Sequence, residues 1–331
     1  MNEELDWSRV AQALAALGHR LALEPAPARL VGGLTNRNYR VRVDGQDAIL
    51  RCPPPGTLPP GVCDVGRECR LLRLIAPAFP LAPRSVALVE DEAAIGVPFH
   101  VLEMRSGIGI HGSGCGQLTA VLTAERVVEG MAGTLAALHQ LRPPDAFGRP
   151  GDFVARTTEG WIARAERSAP GHSAVKQIAQ ALRASVPAEA LRPALLHNDL
   201  KPDNLLFDPG TGAVTAVLDW EMATVGHRLF DLATTLSYWA EPDDGDAMHR
   251  LDQMPSLCPG FGTRAVFAAR YSALTGADLA ELPFFLLLAR LKLGTVFRQL
   301  GARDPADRRG FGALGADLLD FAVSRIGVTN V

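Results

Sequence analysis

Apolar residues at helical spacing open the chain: Trp7, Val10, Leu14 and Leu17 predict an amphipathic helix over residues 4–18. From Arg20 the period shortens. Arg29-Leu30-Val31, Asn38 to Val43 and Gln46 to Arg51 read as strands, the last two joined by Asp44-Gly45, a dipeptide that suits a two-residue hairpin turn. Pro53-Pro54-Pro55-Gly56 breaks the third strand, and Gly61 to Ala76 reads as a helix with Leu71, Leu72 and Ile75 inward. Val86 to Glu90 and Val97 to Met104 predict two further strands, and a glycine-rich surface loop follows from Gly107 to Gly116. Helical patterns then dominate, over residues 118–141, 152–167, 174–185, 263–275, 283–300 and 311–326. Between these helical sets lie the short apolar runs Ala194-Leu195-Leu196, Leu205-Leu206-Phe207 and Ala213 to Leu218, and a helix starting within Gly226 to Ala233. Strands first and helices after predict an α+β fold.

Composition narrows the function classes. A chain of 331 residues is long enough for two sizeable cores. A net charge of -3 with a pI near 6.3 leaves no basic stripe, so no nucleic-acid partner is expected. The apolar run Leu282 to Leu293 is broken by Arg290 and Lys292, so no membrane span is expected either. The first residues are acidic and lack the basic start of a signal peptide, which predicts a cytoplasmic protein. Cys52, Cys63, Cys69, Cys115 and Cys258 form no C-x-x-C pair and read as small buried hydrophobes, not as a zinc site or a disulfide framework. Nothing in the pattern sets an oligomeric state.

The chemistry concentrates in Leu195 to Glu221, where apolar runs bracket polar residues. Asp199 lies five residues before Asn204, and Asp219 follows fifteen later, the order of a kinase catalytic loop and its metal-binding aspartate. Phosphoryl transfer needs a carboxylate to accept the hydroxyl proton and hard oxygen ligands for Mg²⁺. Asp199 suits the first role, Asn204 and Asp219 the second, with His197 and Lys201-Pro202 in register beside them. The plainer alternative is a hairpin capped by turn-forming Asp and Asn residues. Upstream, Gly32, Gly33, Thr35 and Asn36 form a turn whose backbone can approach phosphates. No lysine occurs before Lys176, so Arg51 is the cation placed to meet phosphate oxygens, and Glu68 on the next helix is its natural partner. Glu103 and Met104 end the last strand where a hinge backbone would pair with a nucleotide base. Asp231 either caps the helix it begins or hydrogen-bonds the backbone of the catalytic loop.

These residues carry a resemblance. The segments GGLTNRNYRV, ILRCPPPG, GRECRLLR, GVPFHVLEM, FGRPGDFVARTTEGW, LLHNDLKPDNLLFD and VLDWEMATVGHRLFDLA, in that order, resemble the aminoglycoside phosphotransferase and choline kinase superfamily. Within it they are most similar to the phosphotransferase domains that also occur fused to acyl-CoA dehydrogenases. The resemblance implies a bilobal protein-kinase-like fold, with a small antiparallel-sheet lobe carrying one main helix over residues 1–104 and a larger, mostly helical lobe over 105–331. It implies ATP or GTP and Mg²⁺ as cofactors, Asp199 as base, Asn204 and Asp219 on the metal, and Arg51 with Glu68 near the phosphates. Two departures stand out: Asn198 replaces a usual glycine, and Lys201 either supplies charge to the transferred phosphate or faces solvent. Asp-Trp-Glu with no A-P-E after it leaves no room for a peptide-docking loop, so the acceptor is expected to be a small hydroxyl compound. The acidic run Glu241, Asp243, Asp244 and Asp246 would suit a cationic acceptor. The basic run Arg290, Lys292, Arg298, Arg303, Arg308 and Arg309 would suit an anionic one such as a hydroxyacyl-CoA. The competing class is a catalytically silent nucleotide- or partner-binding module on the same scaffold.

Overall fold

Local chemistry sets most element boundaries in the computed structural model, which describes residues 5–30, 36–54, 63–148, 152–187, 193–303 and 306–328. In chain order the elements are α1 (Trp7–Ala16), β1 (Leu21–Ala22), β2 (Ala28–Arg29), β3 (Arg37–Val43), β4 (Gln46–Cys52), α2 (Val65–Ile75), β5 (Ser85–Val89) and β6 (Phe99–Glu103). There follow α3 (Ala124–Gln140), α4 (Phe153–Ser168), α5 (Ser173–Ala184), β7 (Ala194–Leu196), β8 (Leu205–Phe207), β9 (Val214–Val217) and β10 (Thr224–Gly226). The chain ends with α6 (Arg228–Ser237), α7 (Asp246–His249), α8 (Arg264–Thr275), α9 (Leu282–Arg303) and α10 (Phe311–Ser324). Contacts divide it into two units, Met1–Gly107 with Thr215–Glu221, and Ile108–Val214 with Met222–Val331.

In the first unit the described strands form a six-stranded antiparallel sheet, β1-β3-β4-β6-β5, with β2 also on β3. Val43 pairs with Gln46 across Asp44-Gly45, and both turn residues have positive φ (52° and 79°), as a two-residue hairpin turn of this kind requires. Helix α1 starts where Asp6 accepts the backbone N–H groups of Ser8 and Arg9, and it buries Val10 and Leu14. These join Val41, Leu50, Phe99 and Val101 in one core, with Trp7 edge-on to Tyr39. Asp64 caps α2 by accepting from Arg67 N at 2.8 Å, so this helix begins at Val65; the expected start at Gly61 lies outside the described residues. Its inner face buries Leu71, Leu72 and Ile75, as the spacing predicts, and Glu68 with them.

The second unit is mostly helical, and among the described residues no helix is long and apolar enough to cross a membrane. Helix α9 packs against α4, α5, α6 and α10. It meets α10 through Gly294 and Gly315: a Cβ on Gly315 would lie 2.8 Å from the Gly294 carbonyl oxygen, so the two backbones touch only because both residues lack side chains. Thr123 caps α3, which therefore starts at Ala124, after a 3₁₀ turn at Cys115–Gln117. The short elements β1 and α7 carry too few periodic positions to be read from the sequence. One expectation fails outright. Cys115 and Cys258 form a disulfide, their Cα atoms 5.7 Å apart although 143 residues separate them. Folding brings them together where sequence spacing held no hint, beside Ser113, whose N–H and hydroxyl both donate to Asp252. Cys52, Cys63 and Cys69 are buried, as expected.

Candidate active site

In the second unit, β7 is buried throughout and delivers the chain to His197, with β10 paired alongside it. His197 and Asn198 then donate their backbone N–H groups to the two oxygens of Asp231, at 2.6 and 2.7 Å. Of the two roles open to Asp231, it is the hold on the loop backbone that the structure displays; the N-cap of α6 is His227. His139 Nε2 lies 3.1 Å from the same carboxylate, and its Nδ1 is 2.7 Å from the Tyr271 hydroxyl. Burial alone would raise the pKa of Asp231, yet these donors hold its carboxyl below the usual range. Asn198 has φ +63°, a left-handed conformation that asparagine tolerates better than most residues, which accounts for its standing where glycine is usual.

Asp199 follows, half-buried. One oxygen accepts the Tyr238 hydroxyl at 2.5 Å and the other accepts Asn204 Nδ2 at 2.9 Å, while the same amide nitrogen reaches the Asp199 carbonyl at 2.8 Å. Asn204 closes a 3₁₀ turn whose first residue is Pro202, where a missing N–H does no harm. Its amide nitrogen is thus committed to Asp199, and its oxygen is the atom left for a cation. Lys201 does not face solvent: it is buried, donates to Gln253 Oε1 at 2.6 Å and lies 5.2 Å from the Tyr238 ring centre. His197 is fully buried.

Sequence reasoning missed Tyr238 and Thr235, though a signal was present. Asp231 and Thr235 on α6 and Tyr238, its C-cap, stand at i, i+4 and i+7, one face of the helical repeat. Thr235 donates to the Leu200 carbonyl at 2.9 Å, so that single face holds the loop backbone at His197, Asn198 and Leu200 and the side chain of Asp199. Once Asp231 is assigned to the loop, the other two follow from the helical repeat.

In the first unit a separate polar cluster forms around Arg51, on β4. Its Nε is 3.1 Å from Glu68 Oε2, and its Nη2 is 2.5 Å from Asp219 Oδ1 and 3.4 Å from Glu221 Oε2. The expected Arg51–Glu68 pair is present, and Glu221 is an unforeseen third carboxylate. Asn36 Nδ2 donates to Glu221 at 2.8 Å, and Trp220 N–H to Glu68 at 3.2 Å. Burial opposes the charge of Arg51, but the carboxylates of Glu68, Asp219 and Glu221 outweigh it and hold the guanidinium above its ordinary range. Burial has the upper hand at Glu68, whose carboxyl is raised despite Arg51. Asp219 itself sits at φ +63°.

Gly32, Gly33 and Thr35 lie outside the described residues. Glu103 ends β6 with its carboxylate on the Arg84 N–H at 3.0 Å and its own N–H on the Arg84 carbonyl at 2.9 Å; Met104 follows, half-buried. Among the described residues no three His, Cys, Asp or Glu side chains cluster as a metal site. The basic run is not one face: Arg290 and Lys292 are buried, while Arg303, Arg308 and Arg309 are exposed. The acidic run is largely neutralised, since Arg264 pairs with Glu241 and Asp244, Arg325 with Asp244, and Arg250 with Asp246.

Comparison with known proteins places these sites in context. The model of the phosphotransferase enzyme family matches residues 28–269. Acyl-CoA dehydrogenase family member 10 of Mus musculus is 32% identical over 219 residues, which are 62% of this chain but 20% of the relative. The matched stretch thus spans about a fifth of that relative's length. Among solved structures, a putative aminoglycoside phosphotransferase from Ralstonia eutropha superposes with a TM-score of 0.75 at 21% identity, over 98% of both chains. A mutant of aminoglycoside phosphotransferase APH(4)-Ia, in ternary complex with ADP and hygromycin B, superposes with a TM-score of 0.64 at 16% identity, over 97% of this chain and 98% of that one. At these identities the structures establish the fold, a kinase-like α+β architecture.

Proposed function

Since the chain belongs to the phosphotransferase enzyme family, we propose that it transfers the terminal phosphoryl group of ATP to a hydroxyl of a small molecule, with Asp199 as the base. The observation that carries this reading is the setting of Asp199. It is a half-exposed carboxylate with both oxygens held by donors, on a loop whose backbone is anchored on either side of it. A base must stand in one direction relative to the hydroxyl it deprotonates, and such restraint supplies that. Asp199 accepts the acceptor's proton as the oxygen attacks the terminal phosphorus and the bond to the leaving ADP oxygen breaks, and Lys201, whose ammonium lies 5.2 Å from the ring centre of the Tyr238 that holds Asp199, offers positive charge to the transferred group.

Asn204 and Asp219 are the residues we assign to magnesium. Their donors are an amide oxygen and a carboxylate, which suit a hard cation that takes most remaining ligands from phosphate and water. An ion held by these residues would neutralise phosphate charge. Arg51, kept charged by three carboxylates, orients Asp219 and faces the phosphates, while the backbone around Glu103 and Met104 pairs with the base. A nucleotide complex in a protein of the same fold supports the cofactor choice. For the acceptor, the basic run lends a hydroxyacyl thioester of CoA no support, since two of its cations are buried, and the class of small hydroxyl compound is left to the assay.

The test is a library of hydroxyl metabolites, including hydroxyacyl-CoA esters and aminoglycosides, assayed for ADP release with ATP and magnesium. Asp199→Asn should abolish acceptor-dependent release while the protein stays folded. Turnover equal to wild type in that variant refutes the base, and nucleotide binding with no acceptor in any pool favours the silent module.

A further inference from the structure

Lys292 stands between Leu291 and Leu293 in the interior of α9, with 5% of its surface exposed. Its Nζ donates to the Asn198 carbonyl oxygen at 2.5 Å and lies 5.8 Å from the centre of the Phe230 ring. Lysine is among the residues least often buried whole, because an ammonium taken out of water loses its hydration unless its surroundings answer for it. A methionine of similar length would fill the space at no such cost. The charge therefore has to be explained by what it touches.

What it touches is the peptide that enters Asp199. The Asn198 N–H is held by Asp231, its side-chain Nδ2 donates to the Met222 carbonyl at 3.1 Å, and its backbone is left-handed at φ +63°. Its carbonyl belongs to the peptide plane whose other end is the Asp199 nitrogen. A donor on that oxygen fixes the plane, and the plane sets where the Asp199 side chain departs. The α6 face secures the loop from one side and Lys292 secures this one carbonyl from another helix.

We propose that Lys292 is a positioning residue for phosphoryl transfer, holding the Asn198–Asp199 peptide and through it the direction of the Asp199 carboxylate. The proposal rests on the reading of Asp199 as base. It also ties the loop to pH. Burial brings the Lys292 pKa down to about 8, against the attraction of Asp199 on the loop and Asp231 on α6, and with Lys201 on the loop and Arg164 on α4 pushing the same way as burial. Above that pH the ammonium becomes an amine, and the charge-assisted bond to the carbonyl weakens.

Two measurements test this, the first independent of any substrate. Amide hydrogen exchange over residues 197–200, corrected for intrinsic rates, should lose about tenfold or more of its protection in Lys292→Met at pH 7, and in wild type between pH 7 and 9.5. Protection in α10 and the melting temperature should hold or rise. Lys292→Gln, whose amide still donates, should recover part of the loss and not respond to pH. The second is ADP release from ATP and magnesium with water as acceptor: kcat should fall about 10- to 100-fold in Lys292→Met while KM for ATP stays within about twofold. Unchanged loop exchange in Lys292→Met, or a loss spread evenly over the unit, overturns the proposal. If Asp199→Asn leaves turnover intact, the base assignment falls, and the exchange data still decide whether Lys292 anchors the loop.

Discussion

Replacing Asp231 by asparagine is the sharpest perturbation of the loop, because shape is kept and only the second acceptor oxygen and the charge are lost. The carboxylate is fully buried and takes three donors: His197 N–H at 2.6 Å, Asn198 N–H at 2.7 Å and His139 Nε2 at 3.1 Å. Asparagine keeps one oxygen, so one backbone N–H must face an NH₂ group. An unsatisfied buried donor costs about 1–3 kcal/mol, and the surviving bond drops from a charge-assisted to a neutral one, a further ~1–2 kcal/mol. The sum, roughly 2–5 kcal/mol, is a large part of the stability of an ordinary domain. For a chain of this size, with an unfolding entropy of about 0.7 kcal/mol/K, it corresponds to a fall of about 3–7 °C in melting temperature. Differential scanning calorimetry at pH 7 reads it directly. The sign with pH follows from linkage. A carboxyl whose folded pKa lies below its unfolded value stabilises the fold above the unfolded pKa, near 4, and loses that contribution as pH falls through the folded one. Asp231→Asn should therefore remove part of the wild-type acid sensitivity as well as lower the plateau. A variant melting within about 1 °C of wild type at pH 7, or one with undiminished acid sensitivity, would show that the loop does not depend on this carboxylate.

Other consequences can be checked separately. Tyr238→Phe removes one of the two donors on the Asp199 carboxylate; kcat should fall about tenfold with stability changed by no more than ~1.5 kcal/mol, and an unaltered kcat would sink the role. Cys115→Ser with Cys258→Ser opens a closure of 143 residues, which should lower stability by about 2–4 kcal/mol; equal melting with and without the bond, or with and without dithiothreitol, would contradict this. Burial, aided by nearby arginines, lowers His100 to about 3 and His227 to about 4, so the unfolded chain binds more protons below pH ~6.5 and stability must fall as pH drops through that value. At pH 5 each neutral histidine should cost roughly 2 kcal/mol, and His100→Gln should flatten the dependence; a slope that survives the substitution assigns it to other groups.

The elements that announced themselves in the sequence were those with a repeat. Strands β3 and β4 with their Asp-Gly turn, helix α2 and the long helices α9 and α10 carry enough periodic positions for the pattern to exceed chance. The polar segment could be picked out for a related reason, since Asp199, Asn204 and Asp219 keep a fixed spacing along the chain. What stayed hidden is the support, and the cause is physical. Each supporting residue is a single polar side chain on a helix far away in sequence: His139 on α3, Tyr271 on α8, Lys292 on α9. One residue has no period. Its only mark is that it is polar in an apolar stretch, and Lys292 between two leucines read just as well as the interruption of a membrane span or as part of a basic face. The structure separates these meanings through burial. A lysine with 5% exposure cannot lend its charge to a surface, so its partner must be inside, and the partner is the carbonyl next to Asp199. The same argument applies to Glu68, a charged residue on the inner face of α2 that was read from sequence as the partner of Arg51 and is found buried beside it. A lone charge on an apolar helical face is thus a demand for a partner, and the polar loop nearest in the fold is where that partner has to be sought.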